Sequence, residues 1–210
     1  MLRGKTYEEV YNNFKWEIPK FYNIGVDVCD KWAGDKNRVA LIYADPHGIE
    51  RQYTFRELKN TSNRLANALK AHDITRTDRV GILLSQRPET LISHIAVYKL
   101  GAIVVQLLTL VGPDAIEFRL DDSAAKAVIS DKENLSKIWE VKERLPDLKL
   151  VIAIDADKQE DAVDFWECVA KGSLDFTPVK TKPEDPAVII YTSGTTGQPK
   201  GTLHGHQLLL

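Results

Sequence analysis

Residues 186–201, PAVIIYTSGTTGQPKG, place a short apolar strand directly before a loop of glycines, hydroxyl side chains and one lysine. Glycine allows positive φ angles and a close approach of the backbone to a ligand, so that consecutive N–H groups can converge on an anion. The serine and threonine hydroxyls add donors, and Lys200 adds a positive charge. The stretch therefore predicts a strand that carries a polyphosphate-binding loop at its end.

Two well-known phosphate-binding motifs also follow a strand, and this loop fits neither of them. When Gly194 is aligned with the first glycine of the Walker pattern, Pro199 stands at the second glycine and Gly201 at the Mg²⁺-binding Ser or Thr. This mismatch disfavours a phosphotransferase. A G-x-G-x-x-G dinucleotide motif follows none of the predicted strands. An ordinary solvated turn is the remaining alternative to a phosphate site.

Upstream of the loop, apolar runs alternate with helical patterns, which predicts an α/β fold with a parallel-rich sheet. Because most strands are apolar on both faces, we expect helices to cover both sides of this sheet. Thr54 and Glu57 predict a capping box, and helices are also expected from Pro88 to near Gly101 and over Leu135–Leu145. The predicted strands are Val39–Tyr43, Val80–Leu84, Ile103–Leu108, Ala127–Ser130, Leu150–Ile154 and Val188–Thr192.

The sequence divides into four predicted units. Residues 1–38 are rich in aromatics and predict a helical lead-in packed on the domain, and residues 39–176 predict the α/β subdomain. Prolines and charges in TPVKTKPEDP indicate an exposed connecting segment at 177–186. The strand and loop at 187–210 are then expected to begin the next subdomain.

Composition limits the class of protein. The 210 residues contain 43% hydrophobic side chains, enough for a sizeable core, and the formal net charge of −2 argues against nucleic acid as a partner. Two cysteines favour reduced thiols and a cytoplasmic location over a disulfide framework. The apolar runs are too short for a membrane span.

The ten residues TSGTTGQPKG, 192–201, resemble the signature loop of the adenylate-forming enzymes, which include acyl-CoA synthetases, luciferases and peptide-synthetase adenylation domains. Residues 53–69 (YTFRELKNTSNRLANAL) and 98–108 (YKLGAIVVQLL) resemble two other segments of this superfamily. Residues 107–120 (LLTLVGPDAIEFRL), with SQRPE and LHGH, are similar to the acetyl- and medium-chain acyl-CoA synthetase branch. Gln106 departs from the proline that the family often has there.

The resemblance implies an AMP-forming carboxylate–CoA ligase that makes acyl-AMP and pyrophosphate, then acyl-CoA and AMP. ATP, Mg²⁺ and CoA are the implied cofactor and cosubstrates, and a small carboxylic acid is the other substrate. Lys200 and Thr195 are the implied catalytic residues, and Gly201 is an implied backbone pivot. The implied ligands of the outer phosphates are Thr192, Ser193, Gly194, Thr195, Thr196, Gly197 and Lys200, with no metal ligand assigned in this chain.

The resemblance also implies that the adenine, ribose and second-domain segments of such enzymes would follow Leu210. We therefore expect an N-terminal part of a synthetase that is inactive alone. Two alternatives remain: an adenylating enzyme that transfers to a carrier-protein thiol, and a non-catalytic nucleotide-binding module. The acyl group (acetyl, medium-chain or aromatic) and the oligomeric state remain open.

Several further polar residues have a functional and an ordinary interpretation. Arg87 could bind a phosphate or pair with Glu89, and the sequence does not decide between them. His204 and His206 favour a pocket wall over a metal pair, because no third ligand is nearby. Structural roles are expected for His94 on an apolar helix face, and for Asp121–Asp122 and Asp155-x-Asp157 at turns or helix ends.

Overall fold

The computed structural model describes residues 4–45, 48, 50–155, 161–192 and 197–210. Within these ranges the strands are β1 (Val39–Ala44), β2 (Glu50–Thr54), β3 (Arg79–Leu83), β4 (Ile103–Gln106), β5 (Ala127–Asp131), β6 (Leu150–Ile154), β7 (Val163–Asp164), β8 (Pro186–Thr192) and β9 (Lys200–Gly205). The helices are α1 (Tyr7–Asn13), α2 (Ile24–Val28), α3 (Phe55–Ala71), α4 (Pro88–Leu100), α5 (Pro113–Asp122), α6 (Lys132–Val141) and α7 (Phe165–Lys171). Short 3-10 helices span Asp30–Trp32, Lys142–Arg144 and His206–Leu209.

The main sheet has seven strands in the order β7-β6-β5-β3-β4-β8-β9. All neighbouring pairs are parallel except β8 and β9, which are antiparallel. Along β6, Ile152 packs in a core with residues of α3, α4 and α7, whereas Val151 packs in a second core with residues of α5 and α6. The α/β prediction, with helices on both faces of a parallel-rich sheet, is confirmed.

The first strand is not part of this sheet. β1 pairs antiparallel with β2 in a separate two-stranded sheet. The expectation that Val39–Tyr43 contributes to the parallel sheet is wrong, because only residues 45–49 join β1 to β2 and a parallel crossover needs a dozen or more. β2, β7 and β9 were not among the predicted strands.

Local sequence signals determine where α3 begins and where α4 begins and ends. The Thr54 hydroxyl accepts from the Glu57 N–H at 3.2 Å, and the Glu57 carboxylate accepts from the Thr54 N–H at 2.7 Å, so the predicted capping box is present. Pro88 is the first residue of α4, and Gly101 ends it with φ of 69°. Both are conformations that these residue types favour.

α6 begins earlier than its hydrophobic pattern predicts, at Lys132 instead of Leu135. The Asp131 carboxylate accepts from the Asn134 N–H at 3.2 Å and caps the helix at this point. After Val141 the chain continues as the 3-10 helix to Arg144. The cap at the end of β5 therefore starts the helix before its first apolar residue.

The N-terminal lead-in is only partly packed. All residues of α1 are described and none is buried, with Tyr7 and Tyr11 exposed, so the prediction of a packed lead-in is wrong for this helix. α2 does pack, since Ile24 is buried and the Asn23 side chain donates to the Tyr98 carbonyl at 2.7 Å.

The connecting segment is less exposed than predicted. Its described residues 177–185 form neither helix nor strand, but Thr181 and Pro183 are buried, and the Thr181 hydroxyl donates to the Tyr22 carbonyl at 2.6 Å. After it, β8 pairs with β4, so the main sheet is continuous across the segment. The division into subdomains stays a prediction.

Candidate functional site

The predicted phosphate-binding loop joins β8 to β9 at the carboxyl edge of the sheet. In the antiparallel register Thr192, the last residue of β8, pairs with Lys200, the first residue of β9. Of the loop residues with an implied role, Thr192, Gly197, Lys200 and Gly201 are described, whereas Ser193, Gly194, Thr195 and Thr196 lie outside the described residues. The hydroxyl and the ammonium group at the two ends of the loop are therefore on neighbouring strand positions.

The two described glycines of the loop have different structural requirements. Gly197 has φ of 88° and open space around its Cα, so this position requires a left-handed backbone. Gly201 lies within β9, where a Cβ would be 3.0 Å from Tyr191 Cζ and 3.1 Å from Ile189 Cγ2. Its missing side chain makes room for the Tyr191 ring, while its role as a pivot stays a prediction.

Tyr191 connects this hairpin to α5. Its hydroxyl donates to Asp122 Oδ2 at 2.6 Å, and the Arg119 guanidinium lies 5.6 Å from the centre of the ring. Burial and the Asp122 carboxylate both raise the pKa of the Tyr191 hydroxyl, which stays protonated and donates. The residue directly before the loop is thus attached to a helix on the neighbouring layer.

A largely apolar groove lies at the same edge of the sheet. It has a volume of about 1100 Å³ and is formed by β1, α4 and the segments that follow β3 and β4. Gln106 at the end of β4 pairs in register with Ile190 of β8, which places the groove beside the strand that carries the loop. Its apolar lining includes Leu41, Leu84, Leu91, Leu107 and Leu110.

Polar side chains also line this groove, among them His94, Tyr98 and Gln106. His94 Nδ1 is 3.2 Å from the Tyr98 hydroxyl, and Gln106 Nε2 donates to the Leu107 carbonyl at 3.2 Å. Burial lowers the pKa of His94 and raises the pKa of Tyr98 to about 12, so both rings are neutral at pH 7. The part of the lining formed by His94 and Tyr98 is therefore uncharged, whereas Arg87 adds one charged side chain to the groove. The prediction that His94 is a satisfied boundary residue is confirmed.

The ambiguous charged residues have structural partners. Arg87 Nε lies 2.8 Å from Glu89 Oε2, and Arg87 Nη2 lies 3.5 Å from Asp155 Oδ2. Asp121 and Asp122 stand at the end of α5, as predicted, while Asp157 lies outside the described residues. Arg87 therefore forms the ion pair with Glu89 that the ordinary alternative predicts, and the pair is largely buried at the groove.

His204 and His206 are separated by the end of β9. His206 is fully buried, and its Nδ1 accepts from the Ile24 N–H at 3.2 Å, so it connects the end of the chain to α2. Among the described residues, no group of three or more His, Cys, Asp or Glu side chains could hold a metal ion. A pocket-wall role for these histidines stays a prediction.

Sequence reasoning missed the largest buried polar side chain, Lys99. It belongs to the YKLGA stretch, but its full burial is visible only in the structure. Its ammonium group lies 2.6 Å from Asp30 Oδ1 and 2.9 Å from Ser62 Oγ. Lysine on a helix is usually solvated, so no signal in the sequence alone would have indicated this.

Comparison with known proteins gives consistent matches over nearly all of the chain. The family described as AMP-binding enzyme matches residues 29–210. An acetyl-coenzyme A synthetase of Bacillus subtilis (strain 168) is 32% identical over 98% of this chain and 38% of its own length. The mitochondrial acyl-coenzyme A synthetase ACSM3 of Mus musculus is 31% identical over 96% of this chain and 36% of its own length.

Solved structures agree with these matches. The anthranilate CoA ligase AuaEII, in complex with anthranoyl-AMP, superposes with a TM-score of 0.84 at 31% identity over 91% of this chain and 36% of its own. An acyl-CoA synthetase of Brucella canis superposes with a TM-score of 0.86 at 29% identity, and the match covers 96% of this chain and 38% of its own. The chain thus spans little more than a third of the length of these relatives. Among the described residues, no helix combines the length and apolar composition needed to cross a bilayer.

Proposed function

The chain belongs to the AMP-binding enzyme family of acyl-CoA ligases, and from this premise we propose that it carries the phosphate-binding part of an AMP-forming carboxylate–CoA ligase. The complete enzyme would join a small carboxylic acid to AMP, release pyrophosphate, and transfer the acyl group to CoA. The cytoplasm is the proposed location, although several relatives are named as mitochondrial.

One observation carries this proposal. Thr192 and Lys200 are register partners at the two ends of the glycine-rich loop, at the carboxyl edge of a parallel-rich sheet. Ligands of open α/β sheets bind at this edge. A hydroxyl donor and an ammonium group on adjacent strand positions suit the outer phosphates of ATP, which are anionic and accept hydrogen bonds.

These groups would act on the charge that moves during the reaction. A carboxylate that approaches the α-phosphate is repelled by the triphosphate, and the departing pyrophosphate gains negative charge. Lys200, the Thr192 hydroxyl and the loop N–H groups would offset both effects by donating hydrogen bonds and by adding positive charge. When bound, Mg²⁺ would add charge neutralisation.

The apolar groove supports a substrate with an apolar acyl group. It lies next to β8, and most of its lining is apolar. His94 and Tyr98 on its wall are neutral, and the charged Arg87 in the lining is paired with Glu89. Related proteins are named as acting on acetate, on other acyl groups and on anthranilate. We therefore propose a small carboxylic acid as the class of substrate, and a panel of acids would determine the length of its acyl chain.

Because the chain spans little more than a third of its relatives, we propose that the 210 residues do not catalyse the reaction alone. The complete gene product is the protein to test. Acid-dependent release of pyrophosphate with formation of AMP, measured over a panel of carboxylic acids with CoA as acceptor, is the expected activity.

Lys200→Met should lower this activity at least about 100-fold, the size typical for loss of one donor to a developing anion. Lys182 is an exposed lysine of the connecting segment, so Lys182→Met is the matched control and should leave activity unchanged. ADP as the product would favour a phosphotransferase. ATP binding without turnover would favour a non-catalytic module, and transfer only to a protein thiol would favour the carrier-dependent alternative.

A further inference from the structure

We infer that Tyr191 is a positioning residue for the phosphate-binding loop and that it acts through its hydrogen bond to Asp122. This inference rests on the proposed function and goes beyond the residues of the signature loop. Tyr191 precedes the first loop residue, Thr192, and Asp122 is the last residue of α5. The two residues are separated by 69 positions in the chain.

The Tyr191 ring contacts both arms of the loop. It lies in β8 directly before Thr192, and it occupies the space that a side chain at Gly201 would need. Gly201 pairs with Tyr191 in the register and directly follows Lys200. A displacement of the ring would therefore move Thr192 and Lys200, the two described ends of the loop, together.

The Tyr191 hydroxyl fixes the ring on the helix side. Its single proton is donated to Asp122 Oδ2 at 2.6 Å, since the Arg119 carbonyl is farther away at 3.3 Å. The edge of the Phe118 ring meets the Tyr191 ring at a centroid distance of 6.2 Å. α5 is held in place by packing, because Ile116 and Leu120 are fully buried in the core on that face of the sheet.

Packing alone does not explain why this residue is a tyrosine. The ring is half-buried and Asp122 is exposed, so the hydroxyl–carboxylate bond is near solvent and contributes little to global stability. Phenylalanine would fill the same space beside Gly201. The hydroxyl fixes the orientation of the Tyr191 ring relative to α5. Because Tyr191 directly precedes the loop, it also fixes the end of β8 at which the loop begins.

The test uses four variants of the complete gene product: Tyr191→Phe, Asp122→Ala, Asp122→Asn, and the double variant Tyr191→Phe/Asp122→Ala. The Kd for ATP is measured by titration, the KM values for ATP, pyrophosphate and the carboxylic acid by isotope exchange, and Tm by calorimetry. Tyr191→Phe and Asp122→Ala should each raise the Kd for ATP and the KM for pyrophosphate about five- to tenfold, the effect of one charge-assisted hydrogen bond.

The pattern across variants identifies positioning. Asp122→Asn should restore near wild-type affinity, because its amide oxygen still accepts, and the double variant should be no weaker than either single variant. Tm and the KM for the acid should stay unchanged. A Kd for ATP within about twofold of wild type in Tyr191→Phe would overturn the inference. Losses of ATP affinity that parallel a fall in Tm, with an equal rise in the KM for the carboxylic acid, would also overturn it. A wild-type protein that binds no ATP would instead overturn the proposed function.

Discussion

The Lys99 ammonium group lies 2.6 Å from Asp30 Oδ1, and the lysine side chain is fully buried. It also contacts Ser62 Oγ and Asn63 Oδ1, both at 2.9 Å. Burial lowers the pKa of Lys99 and the Asp30 carboxylate opposes this effect. One side chain of α4 thereby joins the 3-10 helix that contains Asp30 to α3.

Removing one partner of this pair should be costly. Asp30→Asn leaves a buried ammonium group without its counter-charge, so the free energy of unfolding should fall by about 3–5 kcal/mol. The double variant Asp30→Asn/Lys99→Met should lose less than the sum of the two single variants, because it leaves no unpaired charge. Urea unfolding followed by circular dichroism measures each value.

The matched control is Lys171→Met, which breaks an exposed ion pair with Glu167 on α7. The Lys171 side chain is 75% exposed, so its loss should change stability by less than about 0.5 kcal/mol. If Asp30→Asn were as mild as this control, the buried pair would not hold the N-terminal segment to the helices.

Gly172 should not tolerate a side chain. A Cβ at this position would lie 2.2 Å from the Arg64 carbonyl oxygen, which is backbone of α3 and cannot rotate away. Gly172→Ala should therefore lower the free energy of unfolding by at least about 2 kcal/mol, measured by urea unfolding. Gly34→Ala is the control, since a Cβ there meets no atom within 4 Å, and it should be close to neutral. Equal stability of the two variants would contradict the close contact between Gly172, at the end of α7, and the Arg64 backbone of α3.

His206 should make stability depend on pH. Burial lowers its pKa to about 4, whereas an unfolded histidine titrates at about 6.5. Between these values the unfolded chain binds the proton and the folded chain does not, so stability is complete above about pH 6.5 and falls as the pH drops towards 4. The loss attributable to this residue is up to about 3 kcal/mol.

His206→Gln removes the titrating group and keeps an acceptor for the Ile24 N–H. Urea unfolding at about pH 7 and about pH 5 should show a smaller difference in stability for this variant than for the wild type. Because the pKa of His94 is also lowered, some pH dependence should remain. An unchanged difference would show that His206 is not neutral in the folded protein.

Thr54 tests the capping box of α3. Thr54→Ala removes the acceptor of the Glu57 N–H and should lower the free energy of unfolding by about 1 kcal/mol. Thr54→Ser keeps the hydroxyl and should be nearly neutral, which differential scanning calorimetry can resolve. A loss of the same size in both variants would assign the effect to the threonine methyl group and not to the cap.

The features that the sequence predicted correctly depend on near neighbours. The capping box at Thr54 and the end of α4 at Gly101 are set by residues within one turn. The apolar runs that became β5 and β6 are buried on both faces, as parallel strands usually are. The exposed α1 was mispredicted, because an aromatic stripe does not show whether a partner surface exists.

The sequence by itself determined the α/β class, the start of α3, both ends of α4 and the residues of the loop, because backbone propensity and hydrophobic period act over a few positions. Only the tertiary structure decided the antiparallel pairing of β1, the burial of Lys99 and the bond between Tyr191 and Asp122. Each of these joins residues or surfaces whose approach depends on how the whole sheet is ordered. No local pattern encodes that order.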